Sequence, residues 1–378
     1  MSQIARVEVG RYDYAFSGAF KFFKPGKDGA VRRPTVFVRL TDESGLQGWG
    51  QAVPVPTWTY ETVETAESTL TNYLAEALLG ADPNDFSEIH RRMDYAIRPG
   101  FSTGQPIAKA AVDMACYDLV GKREGVPVAN LLGGASRDAI RLNWTLSAPT
   151  LAEAEIQLEK ARIAGFGHFN IKVGPPQTPE YDLELVRLVR REFPDTFLWV
   201  DANTGYRLES ALDMLPKFAA MGVQAIESPL PPNQLRGYQA LKKNGAVPIY
   251  MDEGIISPVE TAEFIALGML DGVTLKHSRS GGLWQAQQII RLVKESGLQL
   301  LGSGLTDPDL SLAAALHLYA WADIDRPCAL NGPQFLGETL VKDGYSIQGD
   351  LIFLPTGPGL GIELDEKAQS VLRVAAEA

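Results

Sequence analysis

The sequence has little cysteine, no block of basic residues and no long apolar run. Its two cysteines, Cys116 and Cys328, are too few for a disulfide framework and lack metal-binding spacing, so we interpret both as buried side chains. The longest nearly apolar run, residues 310–322, contains Ser311 and His317 and is too short to span a bilayer. The N-terminus lacks the apolar segment of a secretory signal. These absences predict a soluble, cytoplasmic protein.

Acidic residues outnumber basic ones, with 46 Asp and Glu against 35 Lys and Arg and a net charge of −11. This balance argues against nucleic acid or an anionic membrane surface as a partner. Hydrophobic residues make up 45% of the chain and charged residues 21%, which is typical of a globular protein. The 378 residues exceed what one core usually supports, so we expect a barrel or two domains.

The periodicity of the chain changes along its length. Residues 1–55 alternate like strands and residues 60–125 follow a helical pattern, which together predict an α+β domain. Between residues 140 and 330, short apolar runs alternate with amphipathic helices, as in βα units with a parallel sheet. The predicted domains are residues 1–130, with residues 345–378 packing back on them, and residues 131–344.

Polar residues recur near the ends of successive predicted strands, at positions 172, 201, 227, 252 and 276. The gaps are 29, 26, 25 and 24 residues, which is the length of one βα unit. Six or more such units favour a closed (β/α) barrel over a doubly wound sheet. In such barrels the catalytic groups lie at the C-terminal ends of the strands.

Two lysines are expected to point into the barrel mouth. Strand side chains alternate between faces, so in FGHFNIKVG the apolar Phe169, Ile171 and Val173 face the helices and Lys172 faces inward. The same alternation in GVTLKHS turns Lys276 inward. One strand-end lysine is more often a surface cation than a catalyst, but two at such positions favour a catalytic role.

Three carboxylates end the strands between these lysines: Asp201, Glu227 and Asp252. Unpaired carboxylates brought together would repel one another and raise their own pKa values. A hard dication removes the repulsion, and Mg²⁺ suits a carboxylate site that leaves positions open for substrate. Single acidic residues usually cap helices or lie on the surface, but three at equivalent places predict one Mg²⁺ per chain.

Seven segments together carry a family pattern: AVDMACYDLVGKREGVPVANLLGG (111–134), NIKVG (170–174), VDANTGY (200–206), IESPL (226–230), MDEG (251–254), LKHSRSGG (275–282) and PTGPGLGIEL (355–364). In order and spacing they resemble the enolase superfamily, specifically its muconate-lactonizing-enzyme-like branch in the mandelate racemase/muconate lactonizing enzyme family. The resemblance extends over nearly the whole chain.

The resemblance implies an α+β capping domain over a modified (β/α)7β barrel. It implies Mg²⁺ held by Asp201, Glu227 and Asp252, with acid/base lysines at Lys172 and Lys276. The implied reaction removes the proton alpha to a carboxylate through an enolate intermediate, whose second negative charge a Lewis-acidic metal stabilises by several kcal/mol. Because the lysines lie four strands apart, they should face opposite sides of a substrate, which suits racemisation or epimerisation.

The sequence departs from the branch pattern at its second and seventh strands. Asn170 stands where the branch usually has the first lysine of Lys-x-Lys, so less positive charge lowers the pKa of the following lysine. The seventh strand offers no histidine, and GSGLTDPDLS stands where a Glu is usual. Asp307 and Asp309 are candidates to contact a cationic group on the substrate, although a helix cap or a solvated turn explains them equally well. Asp323 and Asp325 allow the same two interpretations.

The capping domain is expected to supply specificity. The loop 17–33 and the segment 54–60 should lie over the barrel mouth and exclude water. Phe20, Trp58 and Tyr60 are candidate walls for the substrate, although any single aromatic is more often a packing residue.

Polar residues complete the predicted substrate site. Asn170 and Asn203, near the ends of two strands, are candidate substrate-binding residues. Lys21 and Lys24, in the loop over the mouth, are interpreted as solvated charges rather than as ligands of a substrate carboxylate.

We therefore expect a Mg²⁺-dependent isomerase that racemises or epimerises an amino-acid-like carboxylate: a proline-type amino acid, an N-acyl amino acid or a dipeptide. β-Elimination by a dehydratase, acting on a hydroxyproline or a sugar acid, remains open. A metal-binding barrel without turnover is a third interpretation, against which the lysine pair argues. The expected partners are a small-molecule carboxylate and further copies of the chain in a homo-oligomer.

Overall fold

A computed structural model describes residues 2–18 and 20–378. Its strands are β1 (Ile4–Ala15), β2 (Arg32–Asp42), β3 (Gln47–Ala52), β4 (Ala139–Arg141), β5 (Trp144–Leu146), β6 (Phe169–Lys172), β7 (Leu198–Asp201), β8 (Ala225–Glu227), β9 (Ile249–Met251), β10 (Gly272–Leu275), β11 (Gln299–Gly302), β12 (Ile347–Gln348), β13 (Leu351–Phe353) and β14 (Arg373–Glu377). Its helices are α1 (Val63–Thr69), α2 (Ala75–Leu78), α3 (Phe86–Ala96), α4 (Pro106–Glu124), α5 (Val128–Leu132), α6 (Leu151–Ile163), α7 (Pro179–Glu192), α8 (Leu208–Ala220), α9 (Leu235–Asn244), α10 (Pro258–Ala266), α11 (Leu283–Glu295), α12 (Asp309–Trp321), α13 (Gly332–Phe335) and α14 (Glu366–Ser370). A π-helical turn, Leu70–Leu74, joins α1 to α2.

The first domain is built on an antiparallel sheet in the order β14-β1-β2-β3. Helix α4 packs across this sheet, and its residues from Pro106 to Gly121 are buried. Gly48 and Gly50 of β3 allow the close approach, since a Cβ on Gly50 would lie 1.9 Å from the carbonyl oxygen of Ala111 in α4. Glycine is required there because backbone meets backbone on both sides of the contact.

The second domain is a closed barrel of parallel strands. Strands β5 to β11 neighbour one another in chain order. The ring closes through residues 328 and 329, because Cys328 bridges to Leu142 and Ala329 bridges to Ser303, both in parallel. A helix follows each of β5 to β11, whereas the closing strand is followed only by α13, of four residues. This is the (β/α)7β arrangement, and the predicted fold class is confirmed.

The barrel strands separate two hydrophobic layers. Phe169, Ile171 and Val173 pack in the large core between the strands and the helices, as the alternation predicts. The opposite faces of the strands fill the barrel interior with a smaller cluster: Trp199, Ala225, Tyr250, Leu301 and Ala329. These interior side chains form the floor beneath the polar residues at the strand ends.

The chain after Gly344 divides between the two domains. Strand β13 pairs antiparallel with β4 beside the barrel. Strand β14 instead pairs antiparallel with β1 and completes the sheet of the first domain. Only the end of the 345–378 segment therefore lies on the cap sheet, and the predicted domain boundaries stay a prediction.

Cys116 and Cys328 are free thiols and both are buried, as expected. Within the described ranges 2–18 and 20–378, no helix is both long and apolar enough to cross a membrane.

Replacing Gly50 by alanine should destabilise the protein, because the added methyl group collides with the backbone of α4. We expect the free energy of unfolding to fall by about 1–3 kcal/mol or more, as for other overpacked cores. Urea denaturation followed by circular dichroism measures the change. Gly100→Ala is the matched control, because a Cβ there meets nothing within 4 Å. An equal stability change in the two variants would contradict the proposed contact.

Candidate active site

The five predicted catalytic and metal-binding residues meet at the barrel mouth. Lys172, Asp201 and Glu227 end β6, β7 and β8, and the sheet register pairs Lys172 with Asp201 and Asp201 with Glu227. Asp252 and Lys276 directly follow β9 and β10. Their side chains are buried, the most accessible being that of Lys172 at 7% exposure.

Each lysine of the pair contacts a carboxylate. The Nζ of Lys172 lies 2.5 Å from Oδ2 of Asp201. The Nζ of Lys276 contacts Oδ2 of Asp252 and lies 3.8 Å from Oε1 of Glu227. A buried charge is stable only when it is paired, so these contacts are what allow the cluster to be buried.

The charges of the cluster shift its pKa values. Burial, together with the charge of Asp201, raises the pKa of Glu227 well above its usual range. Burial also acts to raise the pKa of Asp201, but Lys172 and Lys21 outweigh it, so this pKa is lowered. Burial acts to lower the pKa of Lys172, but the charges of Asp201 and Glu227 prevail and raise it. The carboxylates thus hold Lys172 in its protonated form.

Three further residues of the site were missed by the sequence interpretation. The Nε1 of Trp199 donates to Oε2 of Glu227 at 2.8 Å. The Nη1 of Arg279 contacts Oδ1 of Asp252, and Arg279 is 4% exposed. Glu253 accepts hydrogen bonds from Asn203 and Trp58, both at 3.3 Å. The alternation of side chains along β7 could have predicted that Trp199 points inward, because it lies two residues before Asp201. No such pattern indicates Arg279, which lies in a loop.

The oxygen donors of the site fit a hard dication in their chemistry. Asp201, Glu227 and Asp252 supply carboxylates from adjacent strands, and the buried Oε2 of Glu253 and Oδ1 of Asn203 have no hydrogen-bond partner among the described residues. The present side-chain positions do not form a closed ion site: across residues 2–18 and 20–378, no three His, Cys, Asp or Glu side chains are grouped to hold an ion. The oxygens of the two aspartates contact cationic side chains instead.

Aromatic side chains of the first domain cover the mouth. Trp58 stacks on Phe22, with ring centroids 4.3 Å apart, and meets Phe20 edge-to-face at 6.0 Å. The centroid of the Trp58 ring lies 4.9 Å from Nζ of Lys276 and 5.8 Å from Nζ of Lys172. Both ammonium groups therefore lie close to the same indole, which covers them at the barrel mouth.

The two predicted asparagines occupy different places. Asn203 adopts a left-handed conformation (φ 43°) and donates through Nδ2 to Oδ2 of Asp201 at 2.9 Å. Asn170 is fully buried on the inward face of β6, two residues before Lys172. Neither its Oδ1 nor its Nδ2 has a partner among the described residues, and it stands below the mouth rather than at its rim.

The other predicted substrate contacts lie apart from the cluster. Tyr60 is 60% exposed and makes no side-chain hydrogen bond in the described part of the chain. Asp309 accepts hydrogen bonds from Tyr14 and Thr339, both at 2.6 Å, and from the backbone of Leu340 at 3.0 Å.

Asp307 and Asp323 are likewise held by protein groups. Asp307 is buried and accepts from Ser311 at 2.9 Å. Asp323 lies outside the mouth and pairs with Arg137 at 2.7 Å. For Asp309, the hydrogen bond from Tyr14 of the cap favours a role in joining cap and barrel over one in substrate binding. The hydrogen bonds of Asp307 stay within the barrel domain.

The chain forms a closed (β/α)7β barrel under an α+β cap, and lysines and carboxylates lie at its strand ends. This arrangement is typical of barrel enzymes with a capping domain. Residues 153–368 match the family model for the enolase C-terminal domain-like region, and residues 28–133 match that for the mandelate racemase/muconate lactonizing enzyme N-terminal domain. The chain belongs to the mandelate racemase/muconate lactonizing enzyme family of the enolase superfamily, so the recognised family is confirmed. Enzymes of this family generally use Mg²⁺.

Two kinds of isomerase are among the relatives of this chain. Chloromuconate cycloisomerase of Cupriavidus necator is 32% identical over 346 residues, covering 90% of this chain and 92% of the relative. L-Ala-D/L-Glu epimerase of Clostridium acetobutylicum is 30% identical over 331 residues, covering 87% and 90%. The crystal structure of 2-chloromuconate cycloisomerase from Rhodococcus opacus 1CP is 26% identical with a TM-score of 0.87, covering 99% of this chain and all of the other.

Replacing Asp309 by asparagine should lower the stability of the folded protein rather than its affinity for substrate. The amide cannot accept all the hydrogen bonds that the carboxylate accepts, so we expect a loss of about 1–3 kcal/mol in the free energy of unfolding. Chemical denaturation measures the loss. Asp323→Asn, which removes an exposed ion pair, should cost less than about 1 kcal/mol. Unchanged stability of the Asp309 variant would contradict the structural role.

Proposed function

We propose that this protein is a Mg²⁺-dependent isomerase that abstracts the proton alpha to a substrate carboxylate and returns a proton to the same carbon. The observation that carries the proposal is the placement of Lys172 and Lys276 on strands four apart in the barrel, with both ammonium groups close to the Trp58 ring that covers the mouth. A carbon held between the two ammonium groups is within reach of a proton acceptor on one side and a proton donor on the other.

Each lysine has a distinct role in one direction of the reaction. One Nζ, in its neutral form, accepts the α-proton, and the other, protonated, delivers a proton to the opposite face. Inversion at the α-carbon is the result, and the roles exchange in the reverse direction. The Phe22–Trp58 stack supports this chemistry by keeping bulk water from the carbanionic carbon.

Asp201, Glu227 and Asp252 are the residues that would hold Mg²⁺. When bound, the ion supplies Lewis-acid stabilisation of the charge that develops on the substrate carboxylate. It would also offset the carboxylate charges that raise the pKa of Lys172. Trp199 acts as a positioning residue, because its hydrogen bond fixes the orientation of Glu227.

The substrate proposed first is an amino-acid-like carboxylate: a dipeptide, an N-acyl amino acid or a proline-type amino acid. The similarity to L-Ala-D/L-Glu epimerase supports this class. Cycloisomerisation of a muconate is the second candidate, favoured by the 32% identity to chloromuconate cycloisomerase. β-Elimination from a hydroxy acid uses the same first step and differs in losing a leaving group.

Exchange in D₂O tests the reaction type. Incubation with Mg²⁺ and a panel of dipeptides, N-acyl amino acids and proline-type amino acids should place one deuterium at the α-carbon of a substrate with inversion and no loss of mass. Proton NMR and chiral chromatography follow the two changes. Lys172→Ala and Lys276→Ala should each reduce inversion about 10²- to 10⁴-fold, because each removes one of the two proton-transfer groups.

Lys342→Ala is the matched control, since this lysine pairs with Glu363 at the surface. Full inversion by either site variant would reject the two-lysine mechanism. Release of water with formation of a keto or imino product would identify a dehydratase instead, and lactone formation from muconate would identify a cycloisomerase.

Metal binding should depend on the carboxylates and not on the lysines. Asp201→Asn and Glu227→Gln each remove a negative oxygen donor, so we expect Mg²⁺ affinity to fall about 10-fold or more in isothermal titration calorimetry. Lys276→Ala should keep Mg²⁺ binding while losing turnover. Unchanged affinity in both carboxylate variants would contradict the ligand assignment.

A further inference from the structure

Helix α11 begins without a capping side chain of its own, although it directly follows the turn that carries Lys276. Its N-cap position is Gly282, which has no side chain to accept the free N–H groups of the first helical turn. A carboxylate of the other domain accepts them instead. Asp113, in helix α4 of the cap, accepts from the backbone N–H of Leu283 at 2.5 Å and from that of Trp284 at 3.3 Å.

The contact between Asp113 and the start of α11 is buried and close. The side chain of Asp113 is fully buried, so its charge depends on the donors around it and on the positive end of the helix dipole. The Nε2 of His90, in α3, donates to its Oδ2 at 2.9 Å. Gly282 has a left-handed φ of 109°, and a Cβ there would lie 2.3 Å from Oδ1 of Asp113, so glycine is required at this position.

The turn between β10 and α11 connects this contact to the catalytic site. The backbone N–H of Gly282 donates to the carbonyl oxygen of His277 at 3.0 Å. The backbone N–H of Arg279 donates to the carbonyl oxygen of Lys276, also at 3.0 Å. The turn is therefore held by its own hydrogen bonds, with Asp113 at one end and Lys276 at the other.

Only one of the two proposed proton-transfer lysines lies on this turn. Lys276 and Arg279 both contact Asp252, so a shift of the turn would move two cations of the site together. Lys172 ends β6, and in residues 2–18 and 20–378 the side chain of Asp113 makes no hydrogen bond to that strand. A misplacement of about 1 Å in a reacting group can cost about 10²-fold in rate.

We propose that Asp113 is a positioning residue, through which the capping domain sets the position of Lys276 but not that of Lys172. This inference rests on the proposed function for the role of Lys276 in proton transfer. It gives the cap a part in the chemistry itself, in addition to covering the barrel mouth.

Deuterium exchange from each enantiomer of a substrate tests the proposal, because the two lysines act on opposite faces. Asp113→Asn keeps the size of the side chain but leaves one oxygen to accept hydrogen bonds. Inversion in D₂O should fall about 10- to 100-fold, and so should exchange of the enantiomer whose α-proton Lys276 removes. Exchange of the other enantiomer, which Lys172 carries out alone, should stay close to wild type. Lys276→Ala identifies which enantiomer is which.

Asp118→Asn is the matched control. Asp118 lies in the same helix, is 1% exposed, and accepts from the backbone N–H groups of Trp49 and Leu360, both at 2.8 Å. Its contacts resemble those of Asp113 in kind, but none of them reaches the turn that carries Lys276. This variant should lower the midpoint of urea denaturation while keeping the exchange of the two enantiomers in the wild-type ratio.

Amide hydrogen exchange followed by mass spectrometry tests the contact without turnover. In the Mg²⁺-loaded protein, peptides covering residues 276–284 should exchange about 10-fold faster in Asp113→Asn than in the wild type, and at the wild-type rate in Asp118→Asn. His90→Phe removes only the donor that orients the carboxylate, so it should show the same one-sided loss in a weaker form, about 3- to 10-fold. If Asp113→Asn does not fold, His90→Phe decides.

The proposal is overturned if exchange of the two enantiomers falls equally in Asp113→Asn, since that indicates a general loss of structure. It is also overturned if the 276–284 amides keep their wild-type rates in Asp113→Asn, or if the two aspartate variants change them equally. A wild-type protein that exchanges no α-proton would contradict the isomerase proposal alone, and the amide rates would still decide whether Asp113 fixes the turn.

Discussion

The burial of ionised groups at the barrel mouth is the constraint on which the rest of the structure depends. Asp201, Glu227 and Asp252 are at most 1% exposed, and they are adjacent because consecutive parallel strands end side by side. Such a cluster is stable only with cations inside it, which Lys172 and Lys276 supply. The closed barrel below fixes the relative positions of these charges, and the cap above shields them from water.

A further buried cation, Arg33, joins the cap to the barrel. The guanidinium group of Arg33, fully buried, donates to the carbonyl oxygens of Val53 and Pro54 in the cap, at 2.6 and 2.8 Å. It also donates to Leu305 and Thr306, which follow the seventh barrel strand. A hydrogen-bond network that crosses the domain boundary thus sets the relative position of cap and barrel.

The sequence was sufficient where a short-range rule controls the outcome. Alternation along a strand places Lys172 and Trp199 inside the barrel and Phe169 outside it. The sequence analysis predicted the orientations of Lys172 and Phe169 but overlooked Trp199. The pairing of Arg279 with Asp252 was not predictable, because the loop that carries Arg279 has no periodicity. Asp309 was predicted as a substrate contact from its place in the sequence motif. In the structure it accepts hydrogen bonds from a hydroxyl group and a backbone N–H that lie far away in the chain.

The sequence by itself determined the fold class, the order of the barrel units, and the presence of two lysines and three carboxylates at strand ends. These features follow from spacing and from alternation, which act between neighbours in the chain. Only the tertiary structure decided which cations pair with carboxylates and which helix, α11, is capped by a carboxylate of the other domain. Ion pairing and capping between domains depend on distance in space and on desolvation, and both are properties of the packed chain rather than of its local order.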